Sequence, residues 1–499
     1  MASEGSRGDL EAAELHFKRG QFDQARACYA RCQSDPVAAQ RLVFIAQVEA
    51  LAGSLGELLY PECLIDVLLD ECAASTRAWE SQPSTLMTVC HSLAAGGAER
   101  QTVTVLKRLA ADARIAQVFP VFRVLDEPGG SFFLPMLREV PLDPIVFAAQ
   151  DPNLPQAETN SRLKACMDLL PAQLRRDIRQ FAALLRRHRP QAVHIRHEMA
   201  GCAIACALEN VPRFAIHRGT LPLDRWNQNA TQLTRLARPR RHTYQRLLER
   251  PGFVMTAPSR ACRAADREWL EWLDGTRFRT IPNAVDVQAL SAERGRDLRG
   301  RLGIAQDAFV LGGVFRLAPV KRPALWMETA LLVADALPDA RFVLVGDGAL
   351  FAELERFAHR HGLAARLHMP GAVHDIADWY AIMDLNLLVS EREGFANVLA
   401  EGQALGIPAL AIDVGGVGEA MEVGVTGRLL ADDATAQQIA DAVESIADDP
   451  AWRDAARRAG PTFVRRKFRA DICIQGPARG AGTNVRLADR EGFEPSNGY

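Results

Sequence analysis

The chain has 499 residues, 48% of them apolar and 24% charged, the make-up of a globular protein with room for two or three domains. Its 59 basic and 61 acidic side chains leave a net charge of −2, so no bulk positive field draws it to nucleic acid. No apolar run approaches the ~18 residues of a membrane span, and the opening MASEGSRGDLEAAE has no signal-peptide core.

Ten scattered cysteines without a CxxC pair read as small buried hydrophobes in a reducing cytoplasm, not as metal ligands. Residues 9–36, DLEAAELHFKRGQFDQARACYARCQSDP, predict two helices joined at Gly20, with Phe22, Ala25, Tyr29 and Cys32 on one face. The unit resembles one tetratricopeptide repeat. Fewer than three clear repeats do not make a solenoid. Residues 1–78 are therefore expected to form a helical appendage docked on the main body, with a protein partner as its other use. Residues 75–84 read as a linker.

LMTVCHSLAAGGAERQTVTVLKRLAA (86–111) predicts a strand, a Gly–Gly loop and a long helix. That order opens a Rossmann-like domain, with N–H groups aimed at a phosphate or an acceptor. A packing turn is the plainer alternative. A strand over 114–125, an amphipathic helix over 175–190, a strand over 191–197, a helix over 198–212 and a strand over 213–219 continue the alternation. They argue for a parallel sheet covered on both faces. His197 falls at the end of its strand, where doubly wound sheets place ligands. RLARPRRHTYQRLLER (235–250) sets six arginines against one acid. It reads as a solvated helix face, or as a contact for an anionic acceptor or an acidic membrane surface.

FRTIPNAVDVQAL (278–290) leads into a second α/β run. Arg316 and Lys321 stand in the loop after its first strand, a planar fork and a point charge that suit a diphosphate. RFVLVGDGAL (341–350) gives another strand with a glycine-rich end. DLNLLVS (384–390) then predicts a short strand, and ANVLAEGQALG (396–406) a helix closed by Gly406 and stopped by Pro408. Gly394 at the turn leaves the backbone open to a ligand, beside a helix N-terminus ready for an anion. Glu393 and Glu401 bracket the turn at a separation of roughly 12 Å along two helical turns. That is the reach from a sugar hydroxyl, across a diphosphate, to a ribose.

The stretch 370–430, which contains VSEREGFANVLAEG, resembles the donor-site signature of family 4 glycosyltransferases. Glu393 and Glu401 form its E-x7-E pair, and GGAER (96–100) resembles the family's N-terminal glycine loop. The resemblance runs over roughly 85–468. It implies the retaining chemistry of the family and an α/β GT-B fold, two Rossmann-like domains facing across a cleft. Residues 85–282 would be the acceptor domain and 283–468 the nucleotide-sugar domain.

By the same resemblance Glu393 would hold a sugar hydroxyl, and the 394–398 backbone of Gly394, Phe395, Ala396, Asn397 and Val398 would meet sugar and phosphate. Glu401 would bind the ribose, with Val373 and Asp375 flanking the base. Gly97 would admit the phosphate and His197 would lie on the acceptor side. Arg316, Lys321 and the helix N-terminus would stabilise the departing diphosphate with no metal and no cofactor, there being no Asp-x-Asp triplet. The expected enzyme is a bacterial cytoplasmic transferase, peripheral on the inner membrane surface. It would move a sugar from a UDP-sugar to a glycan or lipid-linked acceptor, with no nucleic acid involved. The leader, GGAERQ and LPLDRWNQ (221–228) also resemble glycosyltransferases of Vi-type capsular polysaccharide synthesis, which use uronic-acid donors. Two alternatives stay open: a nucleotide-sugar epimerase of the same fold, and an inactive binding scaffold. FVRRKFRAD (463–471) reads as the start of the helix by which the family crosses back to its first domain, and 470–499 as a disordered or aberrant tail.

Overall fold

The computed structural model describes residues 4–32, 34–53, 60–73, 78–125, 129–147, 161–222, 234–290, 295–374 and 376–469. Asp375, residues 223–228 and the 470–499 tail lie outside them. Two parallel sheets organise the described chain. The first contains β1 (Thr85–Cys90), β2 (Gln117–Phe122), β3 (Ile145–Val146), β4 (Ala192–Arg196), β5 (Phe214–His217), β6 (Phe253–Ala257) and β7 (Phe278–Thr280), in the order β3-β2-β1-β4-β5-β6-β7. The second contains β8 (Val310–Val314), β9 (Arg341–Val345), β10 (Leu367–Gly371), β11 (Leu385–Leu388), β12 (Ala409–Ile412) and β13 (Gly427–Leu430), in the order β10-β9-β8-β11-β12-β13. Each order reverses between two central strands, β1/β4 and β8/β11. Such a switch point opens a crevice at the carboxyl ends of the strands.

The second sheet is built from near-continuous apolar runs. VLGGV, LNLL and ALAI are buried at every position, as a sheet covered on both faces requires. A Cβ at Gly313 would stand 2.7 Å from the Trp326 indole nitrogen. The missing side chain is what lets the fully buried Trp326 lie against β8.

Helices α1 (Glu4–Lys18), α2 (Phe22–Tyr29), α3 (Pro36–Ala52) and α4 (Glu62–Ala73) precede the first sheet. Asp35 caps α3 by accepting from Val37 and Ala38 N–H (2.8 and 3.2 Å). Phe17, Phe22, Tyr29, Phe44 and Tyr60 form an aromatic cluster among them. Their core is continuous with that of the first sheet, through residues such as Leu64, Leu68 and Ile204.

That docking explains the basic run. It forms the Thr234–Leu248 helix and pairs with acids of α4. Arg238 meets Glu62, and Asp66 receives both His242 and Arg246 at 2.8 Å. Arg246 also reaches Asp70, and Arg240 meets Glu198. Arg238, Arg240 and Arg246 thus have acid partners within the molecule, and those of Arg238 and Arg246 include acids of a segment far away in sequence.

The chain passes between the sheets through 281–290, and its last described residues return there. Val285 N–H donates to the Phe468 carbonyl (2.7 Å), and Val285 bridges Arg469. Residues 463–467 are the last turn of the Pro450–Lys467 helix, not the start of a new one. The start signals stand earlier, in the Asp449 cap and Pro450. No helix of the described residues is long and apolar enough to cross a membrane.

Candidate active site

The loops after β8 and β11 lie side by side at the switch point of the second sheet. The first passes Arg316 and ends in a tight turn, Pro319–Lys321. Glu391 N–H donates to the Val320 carbonyl (2.9 Å), tying the loops together. The tie sets Lys321 Nζ on Glu393 Oε1, which also accepts from Ser390 Oγ (2.7 Å). The two side chains keep 21% and 10% of their surface exposed, so the pair is reachable from the cleft.

The Asn397–Ala404 helix begins four residues later. Ala396 at its N-cap supplies no side-chain hydrogen bond, so no side chain there competes for the first amides. An uncapped helix start with a cation beside it is suited to an anion. The Val398 carbonyl accepts from Tyr380 Oη (2.8 Å) and Asn386 Nδ2 (3.1 Å), which fixes the first turn. Glu401, a turn further on, is buried. Burial raises its pKa, and Arg100 of the opposite domain works against that rise.

The first domain closes on this turn. Ser259 Oγ donates to the Gly394 carbonyl (2.6 Å) and accepts from Cys262 N–H (3.0 Å). Glu419 accepts from the N–H groups of Arg260 and Ala261, both at 2.9 Å. A Cβ at Gly394 would collide with the Gly219 carbonyl. The glycine is therefore required by the backbone of the opposite domain. Phe395 and Ala396 are core residues, and Phe395 meets Phe468 edge-on at 5.0 Å. Val373 packs on the core of the second sheet, while His374 stacks on Phe132 of the first domain at 4.1 Å.

Across the cleft, helix α5 (Gly97–Ala110) starts at the glycine loop. The Gly97 carbonyl accepts from Asn397 Nδ2 (3.4 Å), and Asn397 Oδ1 accepts from Asn283 Nδ2 (2.9 Å). His197 follows β4 in a left-handed conformation, φ +66°. Its Nδ1 lies 3.4 Å from Cys90 Sγ and its Nε2 3.7 Å from Glu99 Oε1. Burial pushes the His197 pKa down to about 4, which keeps the ring neutral at pH 7. Burial raises Glu99, and the nearby Arg316 and Arg196 oppose the rise.

The expected residues thus fall into two groups. Lys321, Glu393, the 394–398 turn and Glu401 share one wall of the cleft, and Gly97 meets that wall from the first domain through Asn397. Arg316 is exposed, near enough to Glu99 on the facing wall to oppose the rise of its pKa, and Glu99 lies beside His197. Sequence reasoning passed over Glu99, Arg100, Asn283 and Ser259. For the first two a signal exists: they stand in the first turn of the helix opened by Gly97, the part of α5 that faces the cleft.

Comparison with known proteins agrees with this geometry. The model described as glycosyl transferases group 1 matches residues 296–463, and that described as glycosyltransferase family 4 matches 133–289. Neither reaches the 1–78 segment. The Vi polysaccharide biosynthesis protein VipC/TviE of Salmonella typhi is 29% identical over 362 residues, 68% of this chain and 61% of that protein. A D-inositol 3-phosphate glycosyltransferase of Streptosporangium roseum is 34% identical over 43% of this chain and 49% of its own length. The chain therefore spans about half to three-fifths of these curated relatives. Among solved structures, Anabaena HepE in complex with UDP-glucose superposes over 78% of this chain and 97% of its own, with TM-score 0.61 and 21% identity. Sucrose-phosphate synthase of Thermosynechococcus elongatus covers 78% and 96%, with TM-score 0.61 and 19% identity. These likenesses establish the GT-B fold. With both family models placed on the two sheets that form the cleft, the chain belongs to the family 4 glycosyltransferases.

Proposed function

We propose that this protein transfers a sugar from a UDP-sugar to a glycan or lipid-linked acceptor of bacterial polysaccharide synthesis, with retention at the anomeric carbon. The observation that carries the proposal is the Lys321–Glu393–Ser390 cluster at the foot of the uncapped Asn397–Ala404 helix. A donor diphosphate placed there meets a fixed cation and open amides. Glu393, held by two donors, has a lone pair left for a sugar hydroxyl. Charge that develops on the leaving diphosphate is met by preorganised groups, at no cost of reorganisation.

In the reaction the bond from the anomeric carbon to the diphosphate oxygen breaks. The acceptor oxygen bonds to that carbon on the same face, and its proton passes to the departing phosphate. No protein nucleophile takes part. Glu393 and Glu401 serve as binding carboxylates, since two carboxylates acting on one glycosidic bond would flank it. His197 and Glu99 border the acceptor side. A neutral imidazole there can accept or donate a hydrogen bond to an acceptor hydroxyl without placing a second positive charge in the cleft.

The reading agrees with the nature of its relatives, a polysaccharide biosynthesis protein and a glycosyltransferase, and with a GT-B neighbour bound to UDP-glucose. The test is calorimetric titration with a panel of nucleotide sugars, then product analysis by mass spectrometry with and without a glycan acceptor. Acceptor-dependent loss of the donor sugar is expected. Acceptor-independent isomerisation would replace the transferase reading by an epimerase, and absence of binding across the panel would remove both.

A further inference from the structure

Arg100 has no role in the proposal above, yet it makes the direct charge contact between the two domains at the nucleotide end of the site. Its Nη1 lies 3.3 Å from Glu401 Oε2. The side chains are 21% and 9% exposed, so water screens the pair little. Glu401 is a carboxylate that burial drives toward its neutral form. A neutral carboxyl would lose its strength as an acceptor.

The helix that carries Arg100 is pinned on either side of it. Gln101, the next residue, grips the crossover backbone twice: its Nε2 donates to the Ala284 carbonyl (2.7 Å) and its Oε1 accepts from Ala284 N–H (2.9 Å). Two turns on, Arg108 pairs with Asp286 at 3.0 Å. Gly97, one turn before, meets Asn397. Arg100 is thus projected from a helix whose position is set by the crossover itself.

We propose that Arg100 is a positioning residue of the donor site: it holds Glu401 ionised and fixed through Oε2, so that Oε1 receives a hydroxyl of the nucleotide ribose. The inference rests on the reading that Glu401 meets the ribose. It adds that the nucleotide subsite is complete only when the first domain supplies Arg100. Recognition of the ribose and approach of the domains then become one event.

The test is titration calorimetry of the full chain with UDP and with 2′-deoxyuridine diphosphate, for wild type, Arg100→Ala, Arg100→Lys and Glu401→Gln. Loss of a charged hydrogen-bond partner predicts that Arg100→Ala weakens UDP binding about ten- to hundred-fold. It should weaken the deoxy ligand far less, so that discrimination between the two collapses. Arg100→Lys should recover much of the loss, because a cation returns to the carboxylate. Adding Glu401→Gln to Arg100→Ala should cost little more. Equal weakening of both ligands by Arg100→Ala would mark a general clamp and overturn the inference, as would unchanged UDP binding. A wild-type chain that binds neither ligand would overturn the site reading itself, an outcome distinct from the other two.

Discussion

The two sheets share a topology but differ in what they bury. Strands β8, β9, β11 and β12 are apolar at nearly every buried position; the polar exception, Asn386, donates to the Val398 carbonyl, and its Oδ1 is buried with no hydrogen-bond partner among the described residues. The first sheet has one apolar face and another whose apolar cover over β1 and β2 gives way to polar residues across β4 to β6. Thr88 sits beside His194, and Arg196, His217 and Thr256 follow side by side across β4, β5 and β6. His217 Nδ1 lies 3.0 Å from Thr256 Oγ1. Thr88 Oγ1 and His194 Nε2 are buried with no hydrogen-bond partner among the described residues. Buried polar groups cost stability unless satisfied. The second domain thus reads as a dry frame that holds its site on loops. In the first, polar groups run through the sheet beneath His197.

The largest test of that division lies in the frame. Lys321→Ala and Glu393→Ala should each reduce turnover by two or more powers of ten, on the order of 3 kcal/mol. Both sit on loops outside the dry core, so thermal unfolding should hardly move. Near-normal rates in both folded variants would remove the roles given to them.

Acid sharpens the contrast from the other side. Burial pushes the pKa of His194 down to about 3 and of His197 to about 4, and lowers that of His217. Between those values and the ordinary 6.5, the unfolded chain binds protons that the folded chain does not. Stability is therefore lost as pH falls through that window. His194 alone should account for about 2 kcal/mol between pH 7 and pH 5. Asp266, raised to about 6 by burial, acts in the opposite sense, since its folded form takes up the proton first. The cleaner measurement is a difference. The stability gap between wild type and His194→Gln should narrow by about 2 kcal/mol from pH 7 to pH 5. A gap that stays constant would mean the ring is not buried neutral.

How the halves are joined offers a smaller handle. Gln101→Ala removes both bonds to Ala284 and leaves a buried backbone pair unsatisfied, at a cost of about 1–2 kcal/mol. If the crossover relies on α5, this variant should become sensitive to proteolysis at 281–290 before its sheets unfold. Cleavage kinetics identical to wild type would show that other contacts hold the crossover.

What could be read in advance follows the same division. The second domain was legible because its signals are local: apolar runs, Gly406 and Pro408 closing a helix, and Glu393 and Glu401 on one strand–turn–helix. Even there the reason for Gly394 was hidden, since the carbonyl it avoids belongs to Gly219. In the first domain the alternation of strands and helices was plain, and so was the placement of His197 after β4. The use of Arg100 and Asn283 was not, because their partners Glu401 and Asn397 lie some hundred or more positions away and only the fold brings them near. The ion pairs of Arg238 and Arg246 with α4 were hidden for the same reason. Charge composition counts cations, but whether they face solvent depends on which acids the fold delivers.

Those arginines give the last and smallest test. Arg246 is 25% exposed and lies 2.8 Å from Asp66, with Asp70 and Glu249 as further partners. Partly exposed ion pairs of this kind contribute on the order of 1 kcal/mol. Arg246→Ala should accordingly lower the melting temperature by a few degrees and speed proteolytic release of the 1–78 segment. Affinity for vesicles containing anionic lipid should stay as in wild type, because the guanidinium already faces α4. The opposite pattern, with stability unmoved and vesicle binding reduced, would show that the helix presents its charge outward. The contrast between a dry frame for the donor and a first domain rich in polar groups would then extend to the molecular surface.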